Sequence, residues 1–173
     1  MTDTTTIAAP PEQFNFAQFL LESNVQRADR PAFIDDQGTL NYGDLSKRVR
    51  SMATALRSLG LRREERVLLL MHDCNDWPVS FLGAMFAGLV PVAVNTLLTA
   101  EDYAFMLSNS RAQAALVSGA LLPTLQAAMD LVNVMAAPLE PLYHVNPGRG
   151  RTPAVEAMFK IAPPPCWRMI GTA

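Results

Sequence analysis

Cysteine, lysine and closely spaced glycine are all scarce in this chain of 173 residues, and each shortage removes a class of function. Two cysteines, Cys74 and Cys166, supply neither a disulfide framework nor a four-ligand zinc site. Two lysines are present: Lys47 falls on the exposed side of a predicted helix and Lys160 just ahead of a proline run. Neither position suggests the phosphate-facing or buried ammonium that acyl or phosphoryl activation uses. The sequence contains no GxxxxGK[ST] and no GxGxxG, so the usual cradles of backbone N–H groups for phosphate are missing. Gly148-Arg149-Gly150-Arg151-Thr152 is the one dense spot, and it sits among prolines with neither a strand before it nor a helix after it, which reads as a basic turn. With 14 basic against 16 acidic side chains, the net charge of −2 offers no basic field, and no nucleic-acid partner is expected. Residues 1–13 lack the basic and apolar regions of a secretory signal, and the cytoplasm is the expected compartment.

Half the residues are hydrophobic and 17% are charged, the balance of a folded domain. One stretch, Trp77–Ala100, carries no charge and is long enough to span a bilayer. Pro91 and Asn95 interrupt it, and Gly88-Leu89-Val90-Pro91 reads as a helix end passing into a strand, so a buried helix–strand pair explains the run better than a membrane span. A membrane-associated polypeptide using 77–100 is kept as an alternative.

Charge and proline divide the chain near residue 130. Residues 1–130 hold 10 basic and 14 acidic side chains, whereas residues 131–173 hold 4 and 2, together with 7 of the 13 prolines. Proline at that density opposes helix interiors and central strands, so 131–173 is expected to be an irregular tail, and a frameshift, deletion or recombination would account for the change.

The first part has a regular rhythm. Asn15 with Gln18 resembles a capping box opening a helix that runs toward Arg27 and stops at Asp29-Arg30-Pro31. Ala32–Asp35 and Thr39–Asn41, joined through Asp36-Gln37-Gly38, form a predicted hairpin. Leu45, Val49, Met52, Leu56 and Leu59 make an amphipathic stripe ended by Gly60. Three apolar runs follow, Val67–Met71, Val90–Val94 and Ala114–Val117, with helical segments Asp76–Ala87 and Ala100–Asn109 between them, the second opened by Thr99 with Asp102 as its box partner. Strand and helix alternating at this spacing predict an α/β fold: a partial parallel sheet with helices on both faces and a small N-terminal hairpin. A further helix near Leu121–Met129 should lead to a fourth parallel strand, and no convincing one follows.

Candidate chemical groups are few. His72-Asp73-Cys74-Asn75-Asp76 follows the first parallel strand, where α/β folds place ligands. His72, Cys74 and Asp76 could be read as metal ligands, but no second cluster completes the set, and helix capping by Asn75 or Asp76, with Cys74 as a small buried hydrophobe, is the preferred reading. His144 lacks a serine or cysteine nucleophile beside it. No catalytic, cofactor-binding or metal-binding residue is assigned.

The motifs in residues 1–130 nevertheless have a family look. Leu40-Asn41-Tyr42-Gly43-Asp44-Leu45 resembles the L-[TS]-Y-x-E-L motif of acyl- and aryl-CoA synthetases in the adenylate-forming, AMP-binding superfamily. Gly83-Ala84-Met85-Phe86-Ala87-Gly88-Leu89-Val90-Pro91-Val92 resembles its K-A-G-x-x-x-V-P motif. Asn95-Thr96-Leu97-Leu98-Thr99-Ala100-Glu101-Asp102-Tyr103 and Phe14-Asn15-Phe16-Ala17 are similar to the benzoate–CoA ligase branch. The resemblance implies an enzyme of aromatic compound degradation that uses ATP, Mg²⁺ and CoA to convert an aromatic carboxylic acid through an acyl adenylate into a thioester. It covers only the N-terminal portion of such an enzyme. The glycine- and serine-rich phosphate loop, the adenine and ribose motifs, the hinge and the C-terminal catalytic lysine have no counterpart here, and the matching motifs are largely structural. Pro141-Leu142-Tyr143-His144-Val145, Arg151-Thr152-Pro153 and Val155–Phe159 resemble later family segments only as short, displaced matches. The chain alone is therefore expected to bind none of the three cofactors and to be inactive. A non-catalytic interaction protein derived from a ligase remnant is the other alternative, with self-association through open sheet edges.

Overall fold

The computed structural model describes residues 11–133 and the backbone of two short strands, 141–143 and 157–160. Helix α1 (Phe16–Ser23) begins where the Gln18 N–H donates to Asn15 Oδ1 at 3.0 Å. The second half of the expected capping box does not form. Gln18 donates instead to Glu22 Oε1 at 2.8 Å, and Asn15 Nδ2 reaches the Met85 carbonyl at 2.7 Å. The helix also ends earlier than its sequence suggests. Asn24 returns both its backbone N–H and its side-chain amide to carbonyls of the last turn, on Leu21 and Leu20, and Val25–Arg27 follow as one 3₁₀ turn.

Strands β1 (Pro31–Asp35) and β2 (Gly38–Asn41) pair antiparallel as a separate two-stranded sheet. Asp35 Oδ1 holds the turn by accepting from the Gln37 and Gly38 N–H groups at 2.8 and 3.0 Å, and Gly38 takes a φ of 135° that a side chain would oppose. Helix α2 (Tyr42–Ser58) buries Leu45, Val49 and Leu56 of the stripe read from the sequence, with Leu59 buried just beyond its end; Met52 is half-buried and Ala53 is buried beside it, and Gly60 closes the helix at φ 75°.

Three parallel strands, β3 (Arg66–Leu70), β4 (Val90–Ala93) and β5 (Ala112–Val117), lie in the order β4-β3-β5. Helices α3 (Asp76–Phe86) and α4 (Ala100–Ser110) connect them, and α5 (Leu122–Asn133) follows β5. Alternation along β3 builds two cores. Val67, Leu69 and Met71 pack with Ala53 and Leu56 of α2 and Ala84 of α3, while Leu68 and Leu70 pack with Tyr103 and Leu107 of α4 and Leu125 and Ala128 of α5. Burial on both faces is the reason Val67–Leu70 is apolar at every position, the polar Arg66 standing only at the half-exposed start of the strand.

The uncharged run Trp77–Ala100 divides into α3, a turn, β4 and a loop. No helix among the described residues is long and apolar enough to cross a membrane. The turn is a Schellman closure: the Gly88 N–H bonds the Met85 carbonyl at 3.0 Å, the Leu89 N–H bonds the Ala84 carbonyl at 2.9 Å, and Gly88 sits at φ 81°. Thr99 and Asp102 form the complete box predicted at the start of α4. Against the open side of β5 stand β6 (Pro141–Tyr143) and β7 (Ala157–Lys160). β7 pairs antiparallel with β5 where a fourth parallel strand would lie, so two short strands occur within the segment expected to be irregular. The remainder of 131–173 beyond Asn133 lies outside the described residues.

Candidate functional site

In an open α/β sheet, ligands settle in the crevice beyond the carboxyl ends of strands whose connections leave toward opposite faces. Here those strands are β3 and β5, since α3 packs on one face and α5 on the other. The protein's own groups bridge that crevice. The Ser118 N–H donates to the Leu70 carbonyl at 3.0 Å, and Ser118 Oγ accepts from the His72 N–H at 3.0 Å.

The loop leaving β3 is committed to the hairpin. The Asn75 N–H donates to Asp35 Oδ2 at 2.7 Å and Asn75 Nδ2 to the Gly38 carbonyl at 2.9 Å. Asn75 occupies the N-cap position of α3 but makes no side-chain cap bond, contrary to the expectation from sequence: its backbone is helical (φ −60°, ψ −24°) where a capping residue is extended, so Oδ1 accepts from no N–H of the first turn and is left buried without a partner. Asp76, in the first turn, pairs with Arg48 of α2. Asp35 thus accepts three backbone N–H groups. The Asn75 N–H is the largest influence holding its carboxyl below the usual 3.8; burial opposes this, while the Gln37 and Gly38 N–H groups and the Arg48 charge add to it. The Cys74 thiol is half-buried and pushed above the usual 9.0, chiefly by burial, with the charges of Asp35 and Asp73 contributing.

Among the described residues no three His, Cys, Asp or Glu side chains come together to hold an ion. Of the three residues of the metal reading, His72 and Cys74 make backbone bonds, to Ser118 Oγ and the Trp77 N–H, and the Asp76 carboxylate pairs with Arg48. Lys47 lies exposed on α2 and pairs with Asp44 at 3.1 Å. The backbone of Lys160 belongs to β7, opposite Ala114. His144, Cys166 and Gly148–Thr152 lie outside the described residues.

Between the hairpin and the β3–α3 loop is a cavity of about 520 Å³ walled by Phe33, Asp35, Asp36, Asp73, Cys74 and Trp77. A smaller apolar hollow of about 230 Å³ adjoins it, sharing Phe33 and Trp77 and reaching Leu20, Tyr42 and Phe81. The polar lining of the larger cavity is the carboxylates of Asp35, Asp36 and Asp73 together with the side chains of Gln37 and Asn75. Three carboxylates make a poor match for a triphosphate, which calls for amide donors and cations.

The two family-like motifs act on packing, and the first also lines the smaller hollow through Tyr42 and Leu45. Leu40–Leu45 forms the junction of hairpin and helix. The Asp44 N–H bonds Asn41 Oδ1 at 2.7 Å, the Gly43 N–H bonds the Ala28 carbonyl at 2.9 Å, and Leu45 is fully buried. In the second motif Gly83 lets α3 meet α2: a Cβ there would stand 2.5 Å from Met52 Cγ and 2.7 Å from Met52 Cβ. Sequence reading missed both this contact and the Asp35–Asn75 clasp, each of which joins residues some 30–40 positions apart and leaves no local pattern.

Four similarities to known proteins bear on the arrangement. The family profile described as AMP-binding enzyme matches residues 20–155. The benzoate–CoA ligase of Thauera aromatica is 45% identical over 116 residues, which make up 65% of this chain and 22% of that protein. The solved benzoate CoA ligase of Burkholderia xenovorans superimposes with a TM-score of 0.67 at 50% identity, covering 68% of this chain and 24% of the other. An anthranilate CoA ligase solved with anthranoyl-AMP gives a TM-score of 0.68 at 30% identity, covering 71% of this chain and 24% of the other. The chain therefore spans about a quarter of the length of these relatives.

Proposed function

The chain belongs to the AMP-binding enzyme family, and from that premise we propose that it is the N-terminal building block of an aryl-acid–CoA ligase whose acid is benzoate or a close analogue. The whole enzyme joins an aromatic carboxylate to CoA at the expense of ATP, with Mg²⁺ as the cofactor, and works in the cytoplasm. This quarter contributes scaffold. It supplies the doubly covered sheet and the hairpin clasped to its end, while the groups that hold and polarise the triphosphate belong to the rest of the enzyme. The observation that carries the reading is the 50% identity to a solved benzoate CoA ligase across 68% of the chain. The carboxylate-walled cavity supports the second half of it, that the 173-residue polypeptide alone makes no acyl adenylate. Pyrophosphate release with benzoate, ATP and Mg²⁺ is the test. The isolated chain should stay at the blank rate, and benzoate-dependent release well above it would refute the reading.

A further inference from the structure

The two sides of the larger sheet are finished in different ways. At one side stands β4, an edge strand that keeps some exposure along its length, Val90 at 44%. The Val90 N–H donates to the Glu65 carbonyl and the Val94 N–H to the Leu69 carbonyl, both on the β3 side. By alternation the Pro91 nitrogen faces the open side, where it has no hydrogen to donate. A short strand with an outward proline is a protected edge. β5 has no such protection of its own. Ala112–Val117 contains no charge, proline or glycine, the composition of a strand that recruits others when its edge is bare. Yet Ala114, Ala115, Leu116 and Val117 are all fully buried. The Ser118 N–H donates to the Leu70 carbonyl on the β3 side, so the backbone groups of Ala115 and Val117 face away from β3, and they stand opposite Phe159 and Ala157 of β7. Beyond β7 the sheet ends in β6, three residues opened by Pro141.

We propose that the β5 edge is a strand-accepting site, that β7 occupies it in cis as a guard, and that a second copy of this chain, presenting its own β5, is the partner the edge takes when β7 is withdrawn. Side chains of β5 already meet core on both faces, Ala114 and Leu116 on one and Ala115 and Val117 on the other. What the edge has left to recognise is therefore backbone, and the fitting occupant is an extended strand with N–H and C=O groups to spare. Two β5 edges meet that need reciprocally. Antiparallel pairing about a two-fold axis sets Ala115 of one copy opposite Val117 of the other, with the same groups facing on both sides. Intact β7 prevents this. Its residues Ala157–Lys160 match Val117–Ala114 one to one, and a segment of the same chain competes at an effective concentration that a separate molecule does not reach. The guard is independent of the ligase reading and stands if that reading fails.

The test is Phe159→Pro in the full chain. The Phe159 N–H faces β5, opposite Ala115, whereas the Met158 N–H faces β6, so Met158→Pro is the matched control that spares the β5 ladder. Light scattering over a wide range of concentration should show the unaltered chain and Met158→Pro as monomers. Phe159→Pro should form a concentration-dependent dimer with its helical circular dichroism retained. In the dilute, monomeric form of Phe159→Pro, amide exchange at Ala115 and Val117 should be at least tenfold faster than in the unaltered chain, while Leu116, whose N–H faces β3, should change least. A synthetic peptide of residues 155–161 should return Phe159→Pro to a monomer, and the same peptide carrying the proline should not. The proposal is overturned if Phe159→Pro stays monomeric with its helices intact, if both proline variants behave alike, or if the unaltered chain already pairs through β5. Loss of the helical signal in Phe159→Pro would also overturn it, by making β7 a foundation of the fold and not its guard.

Discussion

Substituting Gly83 by alanine should destabilise this protein, against the usual sense of that change in a helix. In an exposed helix, glycine to alanine gains about 1 kcal/mol, because alanine has less backbone freedom to lose. Gly83 is buried where α3 crosses α2, and the new methyl would stand 2.5 Å from Met52 Cγ, 2.7 Å from Met52 Cβ and 3.4 Å from the Val49 carbonyl. Met52 Cβ is fixed to the α2 backbone and cannot swing aside, so the two helices must separate. Overpacking of this kind costs about 1–3 kcal/mol. With the propensity gain offset, the net loss should be about 1 kcal/mol, or roughly 2–4 °C in Tm for a chain of this size. Urea unfolding followed by circular dichroism would read it as a lower midpoint at unchanged slope. The double variant Met52→Gly/Gly83→Ala removes the Met52 atoms that the new methyl would strike, and the relieved clash should appear as about 1–3 kcal/mol of coupling in a double-mutant cycle. A stabilised Gly83→Ala, or a cycle with no coupling, would show that the close approach does not set helix spacing.

Two further outcomes follow from the polar groups. Ser80 Oγ is fully buried in α3 without a hydrogen-bond partner, so Ser80→Ala should be neutral or gain up to about 1 kcal/mol; a loss larger than that would mean the hydroxyl has a partner in solution. Asp35→Ala should cost about 1–2 kcal/mol at pH 7 by orphaning the Gln37, Gly38 and Asn75 N–H groups, discounted because the site is partly wet. Because the folded carboxyl titrates below 3.8, its contribution is complete above that value and disappears as pH falls through the folded value. The gap in urea midpoint between wild type and variant should therefore close on acidification, and a gap independent of pH would contradict the clasp.

Local chemistry explains which elements were legible in the sequence. Val67–Met71 reads as a strand buried on two faces because each residue meets a helix, and Thr99 with Asp102 reads as a box because both halves lie within one turn. Gly88 announces its turn because only a residue without a side chain sits easily at φ 81°. Where a distant partner competes, local reading fails. Asn75 has the composition of a cap but gives its amide to the hairpin, and Asn15 keeps one half of its box while its other side-chain atom reaches Met85. Gln18 completes no box because Glu22 lies one turn away along α1. The candidate site was legible only as a place, the end of β3. That its loop clasps Asp35, and that the neighbouring wall is carboxylate, depends on the hairpin folding back across 40 residues.

The most direct measurement of the central claim is benzoyl-CoA formation by the Thauera aromatica ligase after its N-terminal quarter is replaced by residues 11–130 of this chain. If this part is scaffold, and the reacting groups lie in the remaining three quarters, the folded chimera should keep benzoate-dependent turnover within about tenfold of its parent, a barrier change of about 1.4 kcal/mol. A chimera that folds with the parent's melting behaviour yet forms no thioester would contradict the account.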